Sequence, residues 1–153
     1  MNQGASIRIL VAEAEPGTRQ HICEYLTELG YHPDGADNGP DAVRLLREKQ
    51  YALILLDQGV TTGSGGELAP QLIAAFPHVP IIVMTASPSV SAVINSLRQG
   101  VFDYVIKPYE ILDLSTIIPR AIERYYTRMD ELSMKIAEST AGKEIAEEDA
   151  VRT

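Results

Sequence analysis

Five times along the sequence a short aliphatic run gives way to a segment with helical spacing, and that alternation constrains the fold more than any other feature. Strands that recur between helices lie parallel, because each crossover returns the chain across a face of the sheet. The pattern therefore predicts an α/β domain with helices on both faces. Residues 7–12 form an aliphatic run of the kind a doubly buried strand needs. Pro16 suits the first turn of the next helix, whose stripe Ile22, Cys23, Leu26 and Leu29 ends at Gly30. Residues 31–36 make a weaker second strand, and Asn38 and Gly39 turn the chain into a helix carrying Ala42, Val43, Leu45 and Leu46.

The third strand, 52–56, stops abruptly at an acid, Asp57. Gly59, Gly63, Gly65 and Gly66 mark a flexible loop before a helix through Leu68, Leu72, Ile73 and Phe76. Residues 80–85 supply the fourth strand. Ser87 and Pro88 open a helix through Val93, Ile94 and Leu97 that Gly100 closes, and 101–106 form the fifth strand ahead of Lys107 and Pro108. From Ile111 the pattern is helical and long, and Pro119 within it predicts a kink or a late helix start. Ile118, Ile122, Tyr125, Met129, Leu132 and Ile136 follow alternating spacings of four and three, a heptad seam. Packing on the sheet explains Ile118 and Ile122; Met129 to Ile136 run beyond its expected reach. After Ser139 the sequence is acidic and aperiodic, so a frayed tail is expected.

A chain of 153 residues suits one domain, and 45% hydrophobic with 22% charged residues is a globular balance. Residues 1–124 are read as that domain and 125–153 as an extended helix or linker with the acidic tail. The formal net charge is -8 and no basic cluster stands out, so direct nucleic-acid binding is not expected. The short polar N-terminus resembles neither a signal nor a transit sequence, and no apolar run approaches the ~20 residues of a membrane span. A cytoplasmic location away from membranes is expected. The single cysteine, Cys23, reads as a core residue, and His21, His32 and His78 lack metal-ligand spacing and read as surface or packing residues.

In an open parallel sheet the loops at the carboxyl ends of the strands meet in one crevice, which is where ligands bind. The polar residues at the expected strand ends are Glu13 and Glu15 after the first, Asp57 after the third, Thr85 after the fourth and Lys107 after the fifth. Each alone has a plainer reading: an acid bonded to its own turn, a strand threonine, a solvated lysine. Tyr104 alone is a packing residue. Only together do they describe a site.

The segments ILVAEAEP, YALILLDQGV, IIVMTAS and DYVIKPYE, in this order and at this spacing, resemble the response-regulator receiver domains of two-component signalling over about residues 7–124. The resemblance implies a flavodoxin-like, doubly wound five-stranded parallel sheet of order 2-1-3-4-5. It also implies a switch, not an enzyme. A sensor histidine kinase or phosphotransfer protein would pass a phosphoryl group to the carboxylate of Asp57, with Lys107 as counter-cation and Thr85 bonding a phosphoryl oxygen. Asp57, Glu13 and the carbonyl of Gly59 would hold Mg2+, and Tyr104 matches the aromatic that turns inward when the threonine moves. The Lys107–Pro108 peptide is a candidate cis bond.

The resemblance breaks after the first strand. Relatives carry two adjacent acids there, the second a direct metal ligand; here the pair is Glu13 and Ala14, and alanine offers no side-chain oxygen. Water, Glu13 or Glu15 has to substitute, so weakened metal binding is expected. Val60 and Thr61 also stand where Met-Pro is common, although Gly65 keeps its place, and a looser loop is expected.

Two further readings compete. One is a receiver that works without phosphate, a protein-interaction module that pairs with itself, as a homodimer, or with another protein through the Ile118–Ile136 seam of the last helix or the face of the fourth and fifth helices. The other is a flavodoxin-like redox protein, disfavoured because Glu13 and Glu15 would repel a flavin phosphate.

Overall fold

The computed structural model describes residues 6–86, 89–106 and 111–152, with side chains at 90–91, 111–113 and 142–152 left aside. Strands and helices alternate throughout: β1 (Arg8–Ala12), α1 (Pro16–Glu28), β2 (His32–Ala36), α2 (Gly39–Glu48), β3 (Leu53–Asp57), α3 (Leu68–Ala75), β4 (Ile81–Thr85), α4 (Val90–Gln99), β5 (Asp103–Ile106) and α5 (Ile111–Arg152). The strands form one parallel sheet in the order β2-β1-β3-β4-β5, a doubly wound, flavodoxin-like arrangement.

Side-chain alternation along the strands divides the core in two. Ile9, Val11, Leu53, Leu55, Ile82 and Met84 face α1 and α5, where they meet Ile22, Leu26, Leu114, Ile118 and Ile122. Leu10, Ala12, Ile54, Leu56, Ile81 and Val83 face the other way, onto Ala42 and Leu46 of α2 and Leu68 and Leu72 of α3. Because every residue of the three central strands up to Leu56 and Thr85 except Arg8 is buried, these strands read as unbroken apolar runs. The weak second strand is an edge: only Ala36 is buried, and Pro33, which donates no ladder hydrogen bond, is tolerated there.

Several expected boundaries shift. The fourth helix opens at Val90, with Ser89 accepting a hydrogen bond from the Ala92 N–H as its cap; Ser87 and Pro88 lie outside the described residues. Gly100 closes that helix at φ 107°, a left-handed turn that favours glycine. The last helix does not start late: it runs from Ile111 with Pro119 inside it. The missing donor and the clash at an interior proline cost roughly 3 kcal/mol. Burial of Leu114, Ile118, Ala121 and Ile122, each at most 3% exposed, offsets that cost.

Packing against the body of the domain also reaches further along α5 than the seam's spacing predicts. Met129 lines a cavity with Leu46, Tyr51, Phe76 and Val79, and Arg128 Nη1 donates to the carbonyl of Pro77 at 3.1 Å. Docking of α5 therefore extends through Met129, after which Met134 and Ile136 stand 64% and 66% exposed. The backbone stays helical to Arg152, where the sequence pattern predicts fraying. Ala, Glu and Lys in 140–150 are good helix formers, and they sustain a helix without an apolar stripe. Cys23 is half-buried against the first core, and burial pushes its thiol pKa up, as an inert packing residue requires. His21, His32 and His78 are exposed.

Candidate functional site

The carboxyl edge of the sheet aligns the expected residues strand by strand. Ala12 pairs with Leu56, so Glu13 and Asp57 come next on neighbouring strands; Asp57 in turn pairs with Met84, the residue before Thr85. Parallel neighbours lie roughly 4.8 Å apart, so the three residues occupy adjacent positions along one edge. Thr85 pairs with Ile106, the last residue of β5. Lys107 and its bond to Pro108 lie outside the described residues.

Asp57 ends β3 in a tight turn, where the Val60 N–H donates to its carbonyl at 3.0 Å and its own Oδ2 accepts from the Gly59 N–H at 3.1 Å. Glycine suits position 59 because a Cβ there would stand 2.9 Å from that carboxylate oxygen. Glu13 is 2% exposed. Its N–H donates to the Ala36 carbonyl at 2.9 Å, and its own carbonyl accepts from Arg19 Nη1, also at 2.9 Å. The same guanidinium nitrogen reaches the Ala14 carbonyl at 3.4 Å, so Arg19 clamps the backbone of the β1–α1 loop.

Glu15 has another task. Its carboxylate caps α1, accepting from the Gly17 N–H at 3.0 Å and from the Thr18 N–H. Bonds from the Thr18 side chain and backbone, then from Gly17, hold its carboxyl below the ordinary value of 4.5. Thr85 is 3% exposed, and its hydroxyl donates to Gln58 Oε1 at 2.5 Å. Tyr104 pairs with Val83 and is half-buried against the second core; its hydroxyl is buried and finds no hydrogen-bond partner among the described residues.

The oxygen donors along the edge are the carboxylates of Glu13 and Asp57 and the carbonyl of Gly59. Ala14 adds no side-chain oxygen and its carbonyl faces Arg19, while Glu15 is committed to a helix end. No group of three or more His, Cys, Asp or Glu among the described residues is arranged to hold a metal ion. The donor set thus fits a divalent cation incompletely.

The departing loop carries its own bonds. Thr61 bridges Glu67 in antiparallel fashion, the Thr62 N–H donates to the Gly66 carbonyl at 3.0 Å, and Gly39 of α2 sits so close that a Cβ would lie 2.0 Å from the Thr61 carbonyl oxygen. Two participants escaped the sequence reading. Gln58 could have been found from strand period alone, since it sits one residue past Asp57 and on the side of the sheet that Thr85 shares; Arg19 carried no local signal, because its role depends on how α1 lies over the loop.

A doubly wound sheet with acids, a strand-end aspartate and a threonine along its carboxyl edge defines the receiver class of signalling domain. The response regulator receiver domain family matches residues 9–119, and the chain belongs to that family. It is 27% identical over 132 residues to the probable transcriptional regulatory protein SilR of Salmonella typhimurium, covering 86% of this chain and 58% of that protein. It is 29% identical over 116 residues to the regulatory protein AtoC of Escherichia coli K12, covering 76% of this chain and 25% of AtoC. The chain thus spans only part of the length of these relatives.

Among solved structures, a CheY-like receiver domain protein from Methanospirillum hungatei superposes with a TM-score of 0.74 at 20% identity, over 81% of this chain and 99% of that one, a likeness of fold. The beryllofluoride-activated NtrC4 receiver domain dimer superposes at 0.70 with 26% identity, over 77% of this chain and 98% of that one. No helix among the described residues is long and apolar enough to cross a membrane.

Proposed function

We propose that this receiver accepts a phosphoryl group on Asp57 from a histidine kinase or phosphotransfer protein and relays the change through Thr85 and Tyr104 to a protein-binding face. The observation that carries this reading is the register of the sheet edge, in which Asp57 lies between Glu13 and the β4 end that bears Thr85. The Asp57 carboxylate attacks phosphorus in line, the bond from phosphorus to the donor nitrogen breaks, and an acyl phosphate results. Lys107 follows in sequence on Ile106, the strand residue paired with Thr85, and in this reading would be the counter-cation for the transferred oxygens. A divalent cation bound by Glu13, Asp57 and the Gly59 carbonyl would supply further counter-charge, weakly for want of an acid at position 14. The protein works in the cytoplasm, where such kinases deliver their phosphoryl groups.

Intact mass after treatment with acetyl phosphate and magnesium tests the reading. The wild-type chain gains one phosphoryl mass and Asp57→Asn gains none; equal masses for the two overturn it.

A second reading rests on different observations. Glu15 is spent on a helix end, and α5 carries exposed Met134 and Ile136 beyond its docked part. The first leaves a metal site short of acids and the second offers an apolar surface, as a receiver that signals by pairing without phosphate would need. Beryllofluoride separates the two: magnesium-dependent binding that changes self-association belongs to the first reading, and neither effect to the second.

A further inference from the structure

Thr85 gives its proton to a neighbour that the phosphoryl-transfer scheme does not include. Gln58 follows Asp57 directly, and its N–H donates to the Met84 carbonyl at 2.8 Å, which carries the β3–β4 ladder one step beyond the end of the strand. That step fixes the backbone from which the side chain departs. Strand alternation sends Gln58 and Thr85 to the same side of the sheet, and there the Thr85 hydroxyl donates to Gln58 Oε1 at 2.5 Å.

A threonine hydroxyl has one proton to donate. While Gln58 accepts it, no phosphoryl oxygen on Asp57 can. We infer that Gln58 is a latch: its carboxamide holds Thr85 in the resting arrangement, and modification of Asp57 has to draw the hydroxyl away from it. This inference rests on the phosphate-accepting reading above and names the residue that sets its threshold. The exchange runs in the right direction, because a bond to an anionic oxygen is roughly twice as strong as one to a neutral carbonyl. It is nevertheless a partial cancellation, so the latch lowers the response that Asp57 modification can drive.

The position of Gln58 gives the exchange an outlet. Gln58 lines a cavity of about 30 Å3 together with Leu56, Val60 and Leu68 and, from α4, Ser96 and Gln99. A carboxamide that loses Thr85 as its donor stands beside polar groups of the helix that carries exposed Ile94 and Leu97. Release of the latch is thereby felt at α4. Gln58 acts through Thr85 and is a positioning residue, not a catalytic one.

The test is beryllofluoride affinity of the full chain at saturating magnesium, measured by calorimetry for wild type, Gln58→Met and Gln58→Asn. Methionine keeps the length of the side chain without the carbonyl, and asparagine keeps the carboxamide but falls short of Thr85. Gln58 is exposed, so both variants are expected to fold, and their melting curves check this. Removing a neutral hydrogen bond from the resting state alone is expected to tighten binding about five-fold in each. The resting-state Thr85 methyl resonance should also move toward its position in the beryllofluoride-bound wild type. A residue of merely structural importance would leave affinity unchanged or weaken it. Wild-type binding with no gain in either variant overturns the latch and leaves the phosphate reading standing; absence of binding by wild type overturns both.

Discussion

The β1–α1 loop is where single side chains decide the chemistry. On the proposed reading, a cation near Asp57 would draw on Glu13, Asp57 and the Gly59 carbonyl, and most of its remaining positions would fall to water. Restoring the second acid by Ala14→Asp is expected to raise magnesium affinity about ten-fold or more and to speed labelling by acetyl phosphate. Calorimetry with magnesium and a timed mass measurement check this, and unchanged values for both would show that position 14 is not the defect. Glu15 behaves differently, since its carboxylate serves the helix. Its folded pKa lies below the ordinary 4.5, so the stability it adds is present above that value and is lost as the pH falls through the folded pKa. Glu15→Gln keeps a capping oxygen without the charge. The difference in melting temperature between wild type and Glu15→Gln should therefore be largest at neutral pH and close as the solution becomes acidic. A difference independent of pH would mean that the charge contributes nothing.

Among the elements, α5 and the β3–α3 loop show how packing overrides local signals. Pro119 argues for a break, yet the helix passes through it because Ile118 is fully buried against β1, β3 and α1 side chains on one face of the sheet. Ile118→Ala removes that contact and leaves a cavity, so it should cost about 2–5 kcal/mol in denaturant unfolding. Gly39 is the matching case for the loop. An added methyl has backbone, not a mobile side chain, in its way, so Gly39→Ala should cost about 1–3 kcal/mol by forcing α2 from the loop. Full stability in either variant would show that the contact is dispensable. Neither contact could be read in advance, since both join segments distant in sequence. The strands themselves were legible, because a parallel sheet covered on both faces writes its burial directly as aliphatic runs. Asp57 and Thr85 were legible for the same reason: polarity returns where the sheet ends. The capping role of Glu15 was not, because an acid one residue before a helical proline serves equally well as ligand or cap until the loop is folded.

The whole molecule is a docked domain with a helical arm. The apolar seam is continuous in sequence from Ile118 to Ile136, but its environment changes along the way: Ile118 and Ile122 belong to the core, Tyr125 and Met129 close the underside of the sheet, and Ile136 lies in the open. Periodicity alone could not mark that change, since a helix docked on a sheet and a helix awaiting a partner share the same spacing. An exposed isoleucine on a heptad position gains from burial only when a second apolar stripe meets it, and on the pairing reading proposed above a second copy of the chain would supply one. Self-association through the arm should then rise with protein concentration in sedimentation velocity and be abolished by Ile136→Lys. Such a change leaves the docked core untouched, so the melting temperature of the dilute protein should stay within a degree or so of wild type, as surface substitutions usually do. If Ile136→Lys sediments as the wild type does, the arm is not what joins two chains, and any dimer has to be sought on the face formed by α4 and β5, where Ile94, Leu97 and Ile106 are also exposed.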